Sequence, residues 1–369
     1  MLACMALSIC SLAHERQVMA HLGLLARPCV RESSLYVRLR GERVQCILCE
    51  RRCVLDESQI GICKTRQNIE GKLYTLVYGD LSAVESRPIE IKPFFHYWPG
   101  STALTFSTWS CNFDCPWCQN HDLSKAQPRP ERSESIAPAR IVEMAHDLGD
   151  EGLCASFQEP TLLTDWVADA FSLSKRRGLY CCYVSNGYMT LEALDLLRRS
   201  GLDGLKIDVK GDEGAYKEFC GSVDASVPWR NAQAAKKMGV HVEIVNLVIP
   251  GVNDSESTIA SVIDRQLKYL GPETPIHFTR YVPAYKFRAP ATDVRVLEQA
   301  REAAWRAGVE YPYIGNVKGH KYENTVCPEC GQCIIVRDGC RIVSYKVTTE
   351  NRCPKCGTGI PISGLYVRK

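Results

Sequence analysis

A regular alternation of strand-like and helix-like segments, from about Ala103 to Ile314, constrains the fold of this chain more than any other feature. Such alternation predicts a parallel sheet whose strands are joined by right-handed helical crossovers. In one helical pattern, Ile141, Val142 and Ala145 recur at helical spacing. The seven strand candidates are ALTFSTW at Ala103, LCASFQ at Leu153, YCCYV at Tyr180, GLKIDV at Gly204, VHVEIVNLVI at Val240, IHFTRYV at Ile276 and YPYI at Tyr311. The predicted fold class is therefore α/β, a full or partial TIM-type (β/α) barrel.

Polar residues follow the predicted strands at their carboxyl ends. They are Gln158 and Glu159 after the second strand, Ser185 and Asn186 after the third, and Asp208 and Lys210 at the end of the fourth. Any one of them has a structural explanation, such as a turn, a helix start or a surface ion pair. Because barrel enzymes carry their chemistry beyond the carboxyl ends of the strands, the series as a whole predicts a small-molecule site.

Cysteine spacing is the second constraint. The chain has 20 cysteines in 369 residues, and many stand in C-x2-C pairs. Disulfide frameworks belong to small secreted domains, whereas this chain is long enough to bury its own core, so the pairs favour metal sites. The clusters are Cys46, Cys49, Cys53 and Cys63; Cys111, Cys115 and Cys118; and Cys327, Cys330, Cys353 and Cys356.

The middle cluster has three cysteines, after the first predicted strand. Structural zinc takes four ligands, so three thiolates leave a coordination position open or need a distant fourth ligand. The nearest other cysteines in sequence are Cys63 and Cys154. A cubane 4Fe–4S cluster held by three cysteines would instead leave one iron free to bind a substrate or cofactor. Since Cys154 lies inside a predicted strand, the cluster is the favoured interpretation.

This C-x3-C-x2-C motif after the first barrel strand resembles the signature of the radical SAM superfamily. In that superfamily the open iron binds S-adenosylmethionine, and the reduced cluster cleaves it to a 5′-deoxyadenosyl radical that abstracts hydrogen. From about Cys46 to Cys356 the chain resembles one subfamily, the AmmeMemoRadiSam-system radical SAM enzymes, relatives of the pyruvate formate-lyase activating enzymes. The segments that carry this resemblance are CILCERRC, FFHYWPGS, CQNHDLS, QEPT, SNGYM, LKIDVKG, IPGVNDSE, HFTRYVPAYKF and YIGNVKGH.

The resemblance implies a binding site for S-adenosylmethionine. By analogy, the stretch around Glu159 holds the methionine amine, Ser185 and Asn186 face the ribose, and Asp208 and Lys210 reach the ribose or carboxylate. Gln158 departs from the usual Asn before Glu-Pro-Thr, which weakens the assignment of that side chain.

The flanking cysteine clusters predict metal-binding appendages. The C-terminal quartet repeats Cys-Pro-x-Cys-Gly, which predicts a zinc ribbon; Cys333 leaves an auxiliary iron–sulfur cluster as the alternative. The N-terminal quartet predicts zinc or a second iron–sulfur cluster. The predicted domains are an N-terminal extension (1–40), a cysteine-rich region (41–95), the radical SAM barrel (96–318) and a C-terminal zinc-ribbon-like domain (319–369).

Net charge and hydropathy limit the classes of partner and the cellular location that the sequence predicts. A net charge of +3, with short basic clusters, argues against nucleic acid. No stretch reaches the roughly 18 apolar residues of a membrane span. The apolar run from Leu2 to Leu12 lacks a preceding basic residue, so it predicts an extension of a cytoplasmic protein, not a signal peptide.

The function predicted is reductive cleavage of S-adenosylmethionine followed by hydrogen abstraction from a protein substrate, as in activating enzymes. The implied partners are that protein and a reductant such as flavodoxin or ferredoxin. The alternatives are radical modification of RNA or a nucleobase, and a non-enzymatic zinc-binding assembly protein.

Overall fold

The computed structural model describes residues 19, 21–221 and 223–368. Its strands are β1 (Arg31–Glu32), β2 (Tyr36–Arg38), β3 (Val44–Cys46), β4 (Val54–Leu55), β5 (Arg66–Ile69), β6 (Lys72–Thr75), β7 (Ala83–Pro88), β8 (Thr102–Ser107), β9 (Gly152–Ala155), β10 (Tyr180–Ser185), β11 (Gly204–Val209), β12 (His241–Val248), β13 (Ile276–Arg280), β14 (Pro312–Gly315), β15 (Thr325–Val326), β16 (Cys333–Asp338) and β17 (Arg341–Tyr345). The predicted apolar run from Leu2 to Leu12 lies outside the described residues.

A central eight-stranded sheet runs from β7 to β14 in the order of the chain. Each neighbouring pair from β8 to β14 is parallel, as the seven strand candidates predicted. At one edge β7 pairs with β8 in the antiparallel sense. The α/β barrel-type fold class is therefore confirmed, and β7 is an added strand that the sequence did not predict.

The helices pack against the outer face of this sheet. They are α1 (His121–Ser124), α2 (Pro138–Leu148), α3 (Thr164–Arg176), α4 (Leu191–Ser200), α5 (Glu213–Phe219), α6 (Ser226–Lys237), α7 (Glu256–Leu270) and α8 (Val294–Arg306). Helix α4 illustrates why these segments form helices. The Thr190 hydroxyl accepts the N–H of Ala193, Leu194 and Leu197 are buried, and Gly201 ends the helix with φ 116°. Gly149, Gly178 and Gly239, which also lie near helix ends, have positive φ as well.

Three small antiparallel sheets form the appendages. The N-terminal region contains the sheets β2-β3-β4 and β1-β6-β5, and the C-terminal region contains β15-β16-β17. Strand β7 belongs to the central sheet although the predicted division assigns it to the cysteine-rich region, and that division stays a prediction. Among the described residues, no helix combines the length and apolarity needed to cross a lipid bilayer.

The N-terminal end of the barrel is closed by the segment Phe94–Tyr97, which is held by Glu243. The Glu243 carboxylate is 0% exposed and accepts the backbone N–H groups of Phe95 (2.9 Å) and His96 (2.8 Å). It also contacts Nε2 of His241 at 3.0 Å and Nε2 of His277 at 2.7 Å. This network forms the floor of the barrel and leaves the opposite end as its mouth.

The N-terminal cysteine loop packs against the barrel mouth. The backbone N–H of Glu50 donates to the carbonyl of Tyr188 at 3.0 Å, and the Thr190 hydroxyl donates to the carbonyl of Ile47 at 2.6 Å. Tyr188 and Thr190 follow β10, so this loop sits beside the carboxyl ends of the parallel strands. The C-terminal region is attached at the floor instead, where an Arg337 terminal nitrogen donates to the carbonyl of Phe95 at 2.8 Å.

Candidate active site and metal centres

One buried carboxylate joins three loops at the barrel mouth. Glu159 follows β9, is 2% exposed, and accepts hydrogen bonds from Ser185 Oγ at 2.8 Å and Thr161 Oγ1 at 2.5 Å. Its second oxygen accepts the backbone N–H of Asn186 at 2.8 Å. Asn186 donates its side-chain amide to Asn112 Oδ1 in the cysteine loop at 2.7 Å. The loops after β8, β9 and β10 are therefore fixed to one another.

The structure gives these residues a positioning role. The Ser185 hydroxyl also accepts the N–H of Gly187 (3.0 Å), and Asn186 Oδ1 accepts the N–H of Tyr188 (2.9 Å). Burial raises the pKa of the Glu159 carboxyl, and its hydrogen bonds oppose that rise. The assignment of Glu159, Ser185 and Asn186 to S-adenosylmethionine stays a prediction, because their side chains are engaged within the protein.

Gln158 is buried at the mouth and has no protein partner. The side chain is 8% exposed, and neither its Oε1 nor its Nε2 makes a hydrogen bond within the protein. The preceding carbonyl of Phe157 accepts a hydrogen bond from the Asn120 amide, which ties this loop to the cysteine loop. A buried amide without partners costs free energy unless a ligand or water satisfies it. Gln158 therefore fits a ligand-binding role, although it replaces the Asn that usually precedes Glu-Pro-Thr.

Three charged side chains line the barrel interior along β11 and just beyond its end. Lys206 and Asp208 alternate along the strand, and Lys210 continues the alternation one residue after Val209, which places all three on one face. Asp208 pairs with Lys206 at 2.7 Å, whereas the ion pair that the sequence offered as the structural alternative was with Lys210. Burial acts to raise the pKa of the Asp208 carboxyl, but the charges of Lys206 and Lys210 outweigh it and lower that pKa. The period-two pattern could have pointed to Lys206 in the sequence.

The three-cysteine loop leads away from β8 and is held by its own hydrogen bonds. Ser110, with φ 71°, turns the chain before Cys111, and the N–H of Phe113 lies 3.4 Å from Cys111 Sγ. Cys118 Sγ lies 3.1 Å from the Ser124 hydroxyl at the end of α1. Cys115 is 9% exposed, and the other two thiols are half-buried. The motif is therefore presented at the mouth with its thiols partly accessible.

A fourth thiol approaches this loop from far along the chain. Cys220 Sγ lies 3.7 Å from Cys115 Sγ, although 105 positions separate the two residues. This contact has the largest effect and, together with the charges of Lys210 and Lys125, lowers the pKa of Cys115 to about 7, although burial acts to raise it. No local pattern in the sequence predicted this contact, because it depends on how the segment directly after α5 packs.

The C-terminal quartet has the geometry of a single-ion site. The sulfur atoms of all four cysteines lie within 4.8 Å of one another, with Cys327–Cys356 at 3.5 Å and Cys330–Cys353 at 3.7 Å. Four thiolates at about 2.3 Å from one tetrahedral zinc ion stand about 3.8 Å apart. Cys333, the alternative fourth or fifth ligand, points its thiol towards the carbonyl of Ile335 at 3.9 Å.

The other cysteine clusters are more widely spaced. Within the described part of the chain, no other group of three Cys, His, Asp or Glu side chains has all its ligand atoms within 4.8 Å of one another. The sulfur atoms of Cys111, Cys115 and Cys118 therefore do not all lie within 4.8 Å of one another, unlike those of the C-terminal quartet. The set fits a polynuclear cluster with one corner left open, and the unpartnered amide of Gln158 fits a ligand at that mouth. Cys46, Cys49, Cys53 and Cys63 line one separate cavity.

Comparisons with known proteins agree with this geometry. Residues 107–262 match the model of the radical SAM superfamily. The uncharacterized protein MJ0808 of Methanocaldococcus jannaschii is 36% identical over 336 residues, covering 90% of this chain and 99% of that protein. MJ1227 of the same organism, whose name assigns it to the glycyl-radical enzyme activating enzymes, is 25% identical over 43% of this chain and 66% of its own length.

A solved domain of a pyruvate-formate lyase-activating enzyme from Bacteroides vulgatus is 21% identical, with a TM-score of 0.39, over 45% of this chain and 99% of that chain. The three-cysteine loop at the mouth of the barrel lies inside the matched range. The chain therefore belongs to the radical SAM superfamily and has relatives among the activating enzymes.

Proposed function

We propose that this chain is an activating-enzyme-like radical SAM enzyme whose Cys111, Cys115 and Cys118 bind a 4Fe–4S cluster. When bound and reduced, that cluster supplies the electron for cleaving S-adenosylmethionine to a 5′-deoxyadenosyl radical, which abstracts hydrogen from a protein substrate. The observation that carries the proposal is the three-thiol set at the barrel mouth, which lacks the close spacing of the C-terminal quartet and has no fourth cysteine in its loop.

The residues around the set supply binding and shielding. The Gln158 amide offers a donor and an acceptor that the protein leaves unused, and Lys206 with Asp208 gives the barrel interior a polar lining. Trp117 is 2% exposed and packs against Phe287 with ring centroids 5.8 Å apart, which excludes water behind the cysteine loop. The predicted contacts of Asp208 and Lys210 with the ribose or carboxylate are part of this proposal.

Similarity to an activating enzyme supports the class of substrate, a protein. MJ1227 is named as an activating enzyme of glycyl-radical enzymes, which are themselves proteins. We therefore infer a protein substrate and a reductant such as flavodoxin or ferredoxin. All 18 cysteines in the described residues are free thiols, which supports a reducing compartment such as the cytoplasm. For the C-terminal quartet, the sulfur spacing supports zinc.

The proposal is tested by product analysis. Protein reconstituted without oxygen, with iron and sulfide, should convert S-adenosylmethionine to equal amounts of 5′-deoxyadenosine and methionine when dithionite is added. Chromatography and mass spectrometry measure both products. A protein shown by spectroscopy to carry the cluster, yet forming no 5′-deoxyadenosine, would end the proposal. The protein-substrate part predicts a polypeptide that co-purifies and gains a radical or a mass change.

The Glu159→Gln variant tests how the mouth is organised. An amide keeps one acceptor oxygen but places an NH2 group against donors from Thr161, Ser185 or Asn186. We expect a loss of about 1–3 kcal/mol in the free energy of unfolding. We also expect binding of S-adenosylmethionine to weaken by about tenfold or more, since each 1.4 kcal/mol is a factor of ten. Denaturant titration and calorimetry measure the two effects.

The matched control is Glu143→Gln on α2, where the carboxylate is 54% exposed. It should change the free energy of unfolding by less than about 0.5 kcal/mol and leave cofactor affinity unaltered. If Glu159→Gln behaves like this control, Glu159 does not position the mouth.

A further inference from the structure

The N-terminal cysteines surround one cavity that reaches the catalytic cysteine loop. The cavity is lined by all four thiols of Cys46, Cys49, Cys53 and Cys63, and by Asn112, which directly follows Cys111. Three of these thiols are buried, with exposed fractions of 6%, 6% and 8% for Cys46, Cys49 and Cys63. The function proposed above uses none of the four. Four free thiols around one cavity, three of them buried and none bonded to another, are the ligand set of a metal centre.

The local backbone holds these thiols in place. Cys46 ends β3, and its N–H donates to the carbonyl of Cys53 at 2.9 Å, while the N–H of Arg52 donates to the carbonyl of Cys49 at 3.0 Å. Arg52 has φ 43°, which reverses the chain inside the C-x2-C-x3-C run. The Cys63 thiol lies 3.2 Å from the hydroxyl of Thr65. The loop is thus preformed and held to the barrel by the hydrogen bonds described above.

Spacing distinguishes this quartet from the C-terminal one. The C-terminal thiols all lie within 4.8 Å of one another, as thiolates around one ion must. In the residues that the structure describes, no three of the N-terminal thiols meet that condition, nor do the three of the catalytic loop. Thiolates bound to different iron atoms of a cubane stand farther apart than thiolates that share one ion. The N-terminal quartet therefore lacks the close spacing of a single-ion site, which favours a cluster over one ion.

Two buried donors without an oxygen or nitrogen acceptor line the same cavity. Arg66 is 1% exposed and its Nε has no hydrogen-bond acceptor, although its other nitrogens are bound to Thr75 Oγ1 at 2.8 Å and Asp165 at 2.7 Å. Asn112 is 2% exposed, and its Nδ2 has no acceptor apart from the thiol of Cys49. Orphaned buried donors are rare in proteins, because each costs about 1–3 kcal/mol. The sulfur atoms of a cluster would accept both.

Charge also suits an anionic cluster. Arg51, Arg52 and Arg66 all line the cavity. Arginines beside the ligands stabilise thiolates over thiols when a metal replaces their protons. This feature favours a tetrathiolate centre without choosing its metal, so the choice rests on the spacing and on the two donors.

We propose that Cys46, Cys49, Cys53 and Cys63 bind a second 4Fe–4S cluster, with Arg66 Nε and Asn112 Nδ2 donating hydrogen bonds to its sulfur atoms. The centre is fully ligated by protein and has no open corner. The presence of another cluster beside this centre rests on the proposed function. The binding of iron by the N-terminal quartet does not depend on that function.

Arg51 and Asn112 hold the two sites together. Arg51 Nε donates to the carbonyl of Asn112 at 3.1 Å, and its terminal nitrogens donate to the carbonyls of Gly221 (2.7 Å) and Cys220 (3.3 Å). Asn112 borders the cavity on one side and belongs to the catalytic loop on the other. The second centre is thereby fixed next to the first, within one residue of Cys111.

Metal analysis of the anaerobically reconstituted full chain tests this proposal. Two 4Fe–4S clusters predict about eight iron and eight sulfide per chain, with one zinc. The Cys49→Ala/Cys53→Ala variant keeps only two thiols in this site, so it should retain about four iron and its zinc. Cys115→Ala should likewise retain about four iron and its zinc. Cys356→Ser is the control, and should lose zinc while keeping all iron. A wild-type chain with about four iron and two zinc overturns the proposal without reference to any variant.

Electron paramagnetic resonance separates this proposal from the proposed function. In reduced Cys115→Ala, the remaining cluster signal should be unaffected by S-adenosylmethionine, because its four corners are all ligated. In the reduced Cys49→Ala/Cys53→Ala variant, the remaining signal should change on addition of S-adenosylmethionine. If this double variant keeps about eight iron per chain, the assignment of this site is wrong. If it binds about four iron without any response to S-adenosylmethionine, the proposed function fails while the second cluster stands.

Discussion

The Cys115→Ala variant should lose about one cluster's worth of iron and all cleavage of S-adenosylmethionine, while it keeps its zinc. The reason is that only three thiols serve the open-corner cluster, so removing one leaves two ligands for a cubane. The C-terminal thiols belong to a separate site with single-ion spacing, so their metal should be unaffected. Iron and zinc counts, with 5′-deoxyadenosine formation under reducing conditions, measure the outcome.

Cys220 makes a second variant necessary. Its Sγ lies 3.7 Å from that of Cys115, near enough to replace the missing ligand after a small shift. The Cys115→Ala/Cys220→Ala double variant removes that substitute and should lose the cluster completely. The control is Cys154→Ala, because Cys154 is a fully buried thiol in the wall of the barrel and should retain all metals. An undiminished iron content in the double variant would contradict the assignment of Cys115.

Replacement of Glu243 by Ala should give a large loss of stability, about 3 kcal/mol or more in the free energy of unfolding. The carboxylate is fully buried and accepts two backbone N–H groups of the floor segment and two imidazole nitrogens, those of His241 and His277. Removing it leaves several buried donors without an acceptor, and each such group carries a desolvation cost. Denaturant unfolding at neutral pH measures the loss.

The same variant predicts a change in pH dependence. Burial acts to raise the pKa of Glu243, but hydrogen bonds and charges from His241 and His277 hold it well below its ordinary value of 4.5. A carboxyl whose pKa is lower in the folded state stabilises the fold fully above its unfolded pKa. That contribution is lost as the pH falls through the folded pKa. The stability difference between the wild type and Glu243→Ala should therefore be largest near neutral pH and shrink below about pH 4.5.

Glu302→Ala provides the control for these measurements. Glu302 lies on α8, its side chain is 40% exposed, and it pairs with Arg306 at 3.2 Å on the surface. Exposed pairs contribute about 0–1 kcal/mol, so this variant should unfold nearly as the wild type does at every pH. A Glu243→Ala protein with the stability of this control would show that the floor network does not support the barrel.

Much of the barrel follows from local pattern. The seven parallel strands were predictable because each is an apolar run next to an amphipathic helix. Helix α4, for example, buries Leu194 and Leu197 and ends at Gly201. Strand β7 was not predicted, because its sequence AVESRP lacks apolar alternation and ends in proline. It occupies the edge of the sheet, where a strand needs only one partner and where proline is tolerated.

The sequence alone determined the ligand loops, because the spacing of C-x3-C-x2-C and C-x2-C is a property of a few consecutive residues. Only the tertiary structure decided which side chains share a site. It brought Cys220 to Cys115, joined Asn186 to Asn112, and left the amide of Gln158 without a protein partner. The physical reason is that these contacts join loops from different strands, so they depend on sheet register and on packing between distant segments, which no short window of sequence contains.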